Sequence, residues 1–153
     1  MKSRGVLVSR ERVVPGLAYL GSLPFLALMT GYQATNAGWM LEVFQCYGLA
    51  ISCFLLGSWW GIALAKTPKP TLPMAELLIS NGLLLLLIGV QGFLSDALLV
   101  TFQGVFLVVI WWVETKLSRF RRAPAYYLLM RRRVTGWVAL LHLGFAGLLV
   151  SAI

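Results

Sequence analysis

Residues 74–113 read MAELLISNGLLLLLIGVQGFLSDALLVTFQGVFLVVIWWV, two long apolar runs that meet at Ser95–Asp96. The runs extend over 74–94 and 97–113. A helix of about 17–22 residues covers about 25–33 Å, close to the ~30 Å hydrocarbon core of a bilayer. The apolar residues are continuous rather than alternating, which favours helices over barrel strands. The stretch therefore predicts a transmembrane helical hairpin, with Ser95 or Asp96 capping its second helix.

Three further apolar runs of similar length lie at 13–33, 44–65 and 134–153. Together the five runs predict an all-α integral membrane protein that forms a single domain over residues 1–153. The first run is interpreted as an uncleaved helix, since it is longer than the apolar part of a signal peptide and lacks a clear cleavage site. Pro24 lies inside that helix and predicts a kink.

The composition supports lipid as the solvent. Apolar residues make up 59% of the chain and charged residues 12%, and the mean hydropathy is +0.84. Soluble domains have about 45–50% apolar and about 25% charged residues. A soluble chain of 153 residues could not bury this much apolar surface in one small core.

The basic residues are strongly partitioned between the two sides of the predicted bundle. All 13 Lys and Arg fall in the N-terminus, in the proline-rich loop 66–73 or in the loop 114–133. The positive-inside rule then predicts an N-terminus inside and a C-terminus outside. This orientation suits a bacterial inner membrane or, alternatively, the mitochondrial inner membrane. The partition also argues against an antiparallel homodimer.

The net charge of +8 is interpreted as a membrane property, with no nucleic acid as partner, because the basic residues flank apolar runs. We expect anionic phospholipid headgroups to bind six arginines of the last loop: Arg119, Arg121, Arg122, Arg131, Arg132 and Arg133. The apolar segment 123–130 lies among these arginines and begins near a proline. It predicts a short interfacial helix or, equally, a solvated loop.

Small residues share one face of the second predicted helix. Gly57 and Gly61 form a GxxxG motif, and Ala50 and Cys53 lie on the same face. Such faces let helix backbones approach closely in lipid. The face therefore predicts helix packing, either within this chain or against another membrane protein or a second copy.

Two ionisable residues stand out inside the spans. His142 lies near the middle of the last span, where a lone titratable group is a functional candidate. The simpler interpretation is a neutral imidazole hydrogen-bonded to a neighbouring helix. Glu114 ends the fourth span, where the helix dipole disfavours an anion, and Lys116 and Arg119 are expected to neutralise it.

The tryptophans near the basic ends of the spans predict an interfacial aromatic belt, and Trp59 is one of them. The chain shows no catalytic motif, and its two Cys and one His exclude a zinc site built from four such ligands. The sequence therefore predicts no catalytic residue, no metal and no cofactor.

Three segments resemble an uncharacterised bacterial membrane-protein family related to mitochondrial transmembrane protein 69. They are 17–24 (LAYLGSLP), 57–64 (GSWWGIAL) and 126–135 (YYLLMRRRVT). The resemblance implies an all-α, multi-span fold and no defined activity. The sequence departs from the family pattern at Trp59, where the HWG-like motif has a His.

Three functions are compatible with these features. The first is a small non-enzymatic accessory subunit, assembly factor or scaffold that binds other membrane proteins and anionic lipid. The second is an oligomeric transporter or channel, whose polar path would use side chains such as Gln103, His142 and Glu114. The third is a quinone- or haem-binding protein that uses His142. The sequence favours the first.

Overall fold

The computed structural model describes residues 10–65, 74–117 and 123–151. In these ranges the chain is entirely helical, with a short 3₁₀ turn at Val90–Gly92. The α-helices are α1 Arg10–Leu20, α2 Leu23–Thr35, α3 Gly38–Ala65, α4 Met74–Gly89, α5 Asp96–Lys116 and α6 Ala125–Ser151.

These helices supply five segments that are long and apolar enough to cross a membrane, which confirms the all-α fold with five spans. The segments are Val13–Thr35, Gly38–Leu64, Met74–Gly92, Asp96–Lys116 and Ala125–Ser151. They indicate a multi-pass membrane protein. Each helix satisfies its own backbone hydrogen bonds, which is the condition for crossing lipid.

The first span is broken rather than kinked. A turn at Gly21–Ser22 separates α1 from α2, and Pro24 falls in the first turn of α2, where its missing N–H costs nothing. The Ser22 hydroxyl donates to the Tyr19 carbonyl at 2.7 Å. The Tyr47 hydroxyl of α3 donates to the Gly21 carbonyl at 2.9 Å, so α3 binds the backbone at the break.

Helices α3, α5 and α6 begin before their predicted bounds, whereas α4 with its 3₁₀ turn ends at Gly92, short of the predicted residue 94. Helix α3 begins at Gly38, directly after a turn in which Asn36 has a left-handed φ of 52°. Ser95 is the N-cap residue of α5 without a side-chain cap bond, and the Asp96 carboxylate instead accepts from Gln45 Nε2 at 3.0 Å. The predicted interfacial segment 123–130 is not set apart from the last span.

Helix α6 runs without a break from Ala125 to Ser151, so that segment supplies its first turns. A helix of 27 residues is about 40 Å long, which exceeds the ~30 Å hydrocarbon core. Helix α6 is therefore longer than an untilted span needs.

The core lies where α5 and α6 pack together, the most extensive helix contact in the described residues. Helix α3 packs against α2, α4 and α5. The larger apolar cluster joins α2, α3, α5 and α6 through Phe25, Phe44, Val100, Leu107, Leu141 and Phe145, among others. A smaller one joins α3, α4 and α5 through Leu56, Trp59, Leu87, Phe106 and Ile110.

Two glycines allow α3, α5 and α6 to approach one another closely. A Cβ placed on Gly104 of α5 would lie 2.7 Å from the Cβ of His142 on α6. A Cβ placed on Gly48 of α3 would lie 2.7 Å from Gln103 Oε1. Small residues therefore set the distances among α3, α5 and α6, as expected for helices in lipid.

Candidate functional site

Three side chains from three helices form a charged cluster: Trp59 of α3, Glu114 of α5 and Arg131 of α6. Arg131 Nη2 and Nε donate to Glu114 Oε1 and Oε2 at 2.7 and 2.9 Å, a bidentate pair. Trp59 Nε1 donates to Glu114 Oε1 at 3.0 Å. Trp59 and Glu114 are buried, and the Arg131 side chain is 12% exposed.

The charged cluster explains how an anion is tolerated in the last turn of α5. The unpaired carbonyls of a helix C-terminus disfavour a carboxylate there. A bidentate guanidinium compensates with both charge and geometry, and the indole adds a third donor. The structure thus pairs Glu114 with Arg131, whereas the sequence suggested Lys116 and Arg119. The Lys116 ammonium lies 5.3 Å from the Trp112 ring, and Arg119 is outside the described residues.

Trp59 is the site residue that sequence reasoning missed. It was assigned to the interfacial belt, yet it is only 2% exposed, whereas its neighbour Trp60 is 38% exposed. Helical periodicity does not distinguish a belt tryptophan from one that turns inward to bind a carboxylate. The only available signal was the departure from the HWG-like pattern at this position.

A second, neutral cluster consists of Gly48 of α3, Gln103 of α5 and His142 of α6. Both polar side chains are 0% exposed. Gln103 Nε2 donates to the Gln45 carbonyl at 3.0 Å, which joins α5 to α3. His142 Nδ1 lies 2.8 Å from the Val138 carbonyl one turn earlier on its own helix.

The hydrogen bond of His142 is therefore not the predicted bond to a neighbouring helix. Its ring is held between helices by aromatic contacts instead, with the Phe25 and Phe44 centroids each 4.8 Å away. His142 Nε2 and Gln103 Oε1 are buried and have no hydrogen-bond partner among the described residues. In the described part of the chain, no three His, Cys, Asp or Glu side chains are grouped to hold a metal ion.

The predicted small-residue face of α3 points away from the described helices. Apart from the adjacent backbone of α3 itself, no atom of the described residues lies within 4 Å of a Cβ placed on Gly57 or on Gly61. Ala50 is exposed and Cys53 is half-buried. Packing of Gly57 and Gly61 against another described helix is thus not observed, which leaves the predicted alternative of an external partner.

The predicted lipid-binding arginines fall into three groups. Arg119, Arg121 and Arg122 lie outside the described residues. Arg131 binds Glu114, whereas Arg132 and Arg133 are exposed near the start of α6.

A cleft of about 390 Å³ opens between the end of α5 and the start of α6. Its walls include Trp111, Tyr127 and Leu128, with Arg131 and Arg132 beside them.

The family comparison covers most of the chain. Residues 11–147 match the family described as "Protein of unknown function (DUF3429)". No curated protein and no solved structure matches the chain. The family match carries no link to mitochondrial transmembrane protein 69. Since the match covers well over half of the chain, the chain belongs to the DUF3429 family, whose function is unknown.

Proposed function

We propose that the protein is a non-enzymatic accessory subunit, assembly factor or scaffold of the membrane. In this role α3 binds a transmembrane helix of another membrane protein, and the basic end of the bundle binds anionic phospholipid. The observation that carries the proposal is the unpacked GxxxG face of Gly57 and Gly61.

The contrast between glycines supports this role for α3. Gly48 and Gly104 are used by the fold, because a Cβ at either would lie 2.7 Å from a neighbouring side chain. A Cβ placed on Gly57 or on Gly61 would instead enter open space. Lipid gives helices no hydrophobic reason to associate, so close backbone packing must supply the attraction. An open GxxxG face offers such packing to an incoming helix.

Charge favours a different protein over a second copy as the occupant. The positive-inside rule orients every copy the same way, with the N-terminus inside and the C-terminus outside. A parallel dimer through α3 would bring two basic ends together, each chain carrying a net charge of +8. A partner with an acidic or neutral inner end avoids this repulsion.

The lipid part of the proposal rests on the start of α6. Arg132 and Arg133 are exposed there, and the largely apolar cleft beside Arg132 suits an acyl chain below a phosphate. Each Lys or Arg near an anionic leaflet contributes about 1 kcal/mol, screened by salt. On this proposal the first turns of α6 lie in the inner interface of a bacterial inner membrane or its mitochondrial equivalent.

Glycine-to-leucine variants test the partner. Gly57→Leu should leave the thermal stability of the isolated protein unchanged, because its side chain enters open space, but should abolish co-purification of the partner. Gly82→Leu on α4, where a Cβ also meets open space, is the matched control and should retain the partner. A symmetric homo-oligomer lost on Gly57→Leu would identify a second copy instead. Equal partner retention in both variants would refute the docking face.

Native mass spectrometry tests the lipid. Replacing Arg132 and Arg133 by Gln should reduce retained acidic phospholipid, whereas Gln91→Leu in the 3₁₀ turn after α4 should not. Undiminished lipid in the double variant would contradict the proposed lipid binding.

A reporter fusion tests the proposed orientation. A reporter fused after Ile153 should show the external phenotype. An internal C-terminus would contradict the proposed orientation.

A further inference from the structure

The neutral cluster contains two buried hydrogen-bond acceptors, Gln103 Oε1 and His142 Nε2, that have no donor among the described residues. We infer that one small uncharged molecule, of the size of water, bridges them by donating a hydrogen bond to Gln103 Oε1 and another to His142 Nε2. Water and ammonia share this chemistry. The inference does not depend on the proposed docking of α3.

The Gln103 amide has one orientation that satisfies its neighbours. Its Nε2 is 3.0 Å from the Gln45 carbonyl, an atom that only accepts hydrogen bonds. Reversing the amide would place two oxygens against each other. The orientation therefore leaves Oε1 as an acceptor on the side of Gly48.

The His142 tautomer follows from the same reasoning. Its Nδ1 lies 2.8 Å from the Val138 carbonyl, so Nδ1 carries the proton. A neutral ring then has a lone pair on Nε2. The ring is fully buried between two phenyl rings, and no salt bridge to it occurs among the described residues. Charge without a partner is costly in such a site, which favours the neutral form.

The two acceptors converge on the missing side chain of Gly48. Gln103 Oε1 and His142 Nε2 lie 2.7 and 3.0 Å from the position of a Cβ at this residue. Two acceptors cannot bond to each other, but these distances from one point place them at most 5.7 Å apart, a separation that one small donor molecule can bridge. Buried polar atoms in proteins are normally satisfied, often by an internal water, and hydrocarbon offers no other donor.

The position in the bundle makes the site independent of bulk solvent. Gln103 lies about 10 Å along α5 from its start at Asp96, and Glu114 lies about 16 Å further along the same helix. A guest molecule here would sit inside the apolar layer and depend on these two side chains for its hydrogen bonds. Glycine at position 48 lets both acceptors lie close against the backbone of α3, because any side chain there would meet both of them.

The single histidine of the chain makes the test selective. Protein labelled with ¹⁵N-histidine and purified without a histidine tag gives imidazole signals from His142 alone. We expect a protonated Nδ1 and an unprotonated Nε2 whose resonance shows an accepted hydrogen bond. Magnetisation transfer from water protons to the ring should be present in ammonium-free buffer. Transfer that appears only after ammonium chloride is added would identify ammonia as the guest of the same site.

Two variants should remove the guest. Gly48→Ala places a methyl group against both acceptors and forces them to move, and Gln103→Leu removes one acceptor. Each variant should abolish the transfer while Nδ1 stays protonated. Gly82→Ala is the control and should keep it. The wild-type spectrum is decisive even if a variant does not fold. An unbonded Nε2 without transfer under either condition, or a proton on Nε2, would overturn the inference.

Discussion

The charged cluster and the neutral cluster lie in the same bundle, and both draw on α3, α5 and α6, but their hydrogen bonds are arranged in opposite ways. In the charged cluster, three donors converge on one carboxylate. In the neutral cluster, the donors of Gln103 and His142 are directed to backbone carbonyls, and two buried acceptors have no partner among the described residues. A buried charge requires immediate pairing, whereas neutral acceptors can be satisfied by a small guest.

The two clusters also differ in role: the charged cluster stabilises the fold, and the neutral cluster is the inferred binding site. The charged cluster is complete within the chain and near one end of the spans, so it serves the fold. The neutral cluster is incomplete within the described residues and lies deeper. Substitutions in the two clusters should therefore differ in size and in kind.

The largest effect is expected for Glu114→Leu. The substitution leaves the mostly buried Arg131 guanidinium without its anion, and breaking such a pair costs about 3–5 kcal/mol. Reversible unfolding in mixed micelles would measure the loss. The double variant Glu114→Leu/Arg131→Leu should recover most of it, because no unpaired charge remains. Equal losses in the single and double variants would show that the pair does not act as a unit.

A smaller effect is expected for Trp59→Phe. The ring remains, but one hydrogen bond to a carboxylate is lost, worth about 1.5–3 kcal/mol. Trp60→Phe is the matched control, since Trp60 is more exposed, and its unfolding free energy should change by less than about 0.5 kcal/mol. If both variants behaved alike in the same unfolding assay, Trp59 would be a belt residue after all.

The smallest effect is expected for Gln103→Leu in the neutral cluster. It removes the bond to the Gln45 carbonyl, and interhelical bonds in membranes average about 0.6 kcal/mol with a maximum of about 1.7. Unfolding of Gln91→Leu provides the comparison, because the Gln91 amide bonds within its own helix segment. A loss as large as that of Glu114→Leu would contradict the distinction between the clusters.

The sequence predicted the spans better than the contacts between them. The apolar runs located all five spanning segments, and the difference at Pro24 is local: a full turn at Gly21–Ser22 replaces a kink. The prediction that Lys116 neutralises Glu114 was wrong, since Arg131, on the far side of the α5–α6 loop, forms the ion pair with Glu114. Nearness in sequence suggested Lys116, but the orientation of α6 against α5 brings Arg131 to the carboxylate.

The small-residue motif likewise failed to predict which residues pack between helices. The GxxxG pattern predicts close packing at Gly57 and Gly61, yet the glycines at which α5 approaches α3 and α6 are Gly48 and Gly104, which lie in no GxxxG motif. Whether a glycine packs depends on which face of its helix meets a neighbour. In lipid, apolar side chains outside and inside the bundle look alike, so the pattern of apolar residues does not identify that face.

Length and apolar content by themselves determined that this chain forms five helical segments long and apolar enough to cross a membrane. Each span satisfies its own backbone and needs only apolar side chains around it, so the information is local. The tertiary structure alone decided that Trp59 and Arg131 meet Glu114, and that Gln103 and His142 converge on Gly48. These contacts depend on the rotation and pairing of helices, which close packing at Gly48 and Gly104 sets and which no single segment encodes.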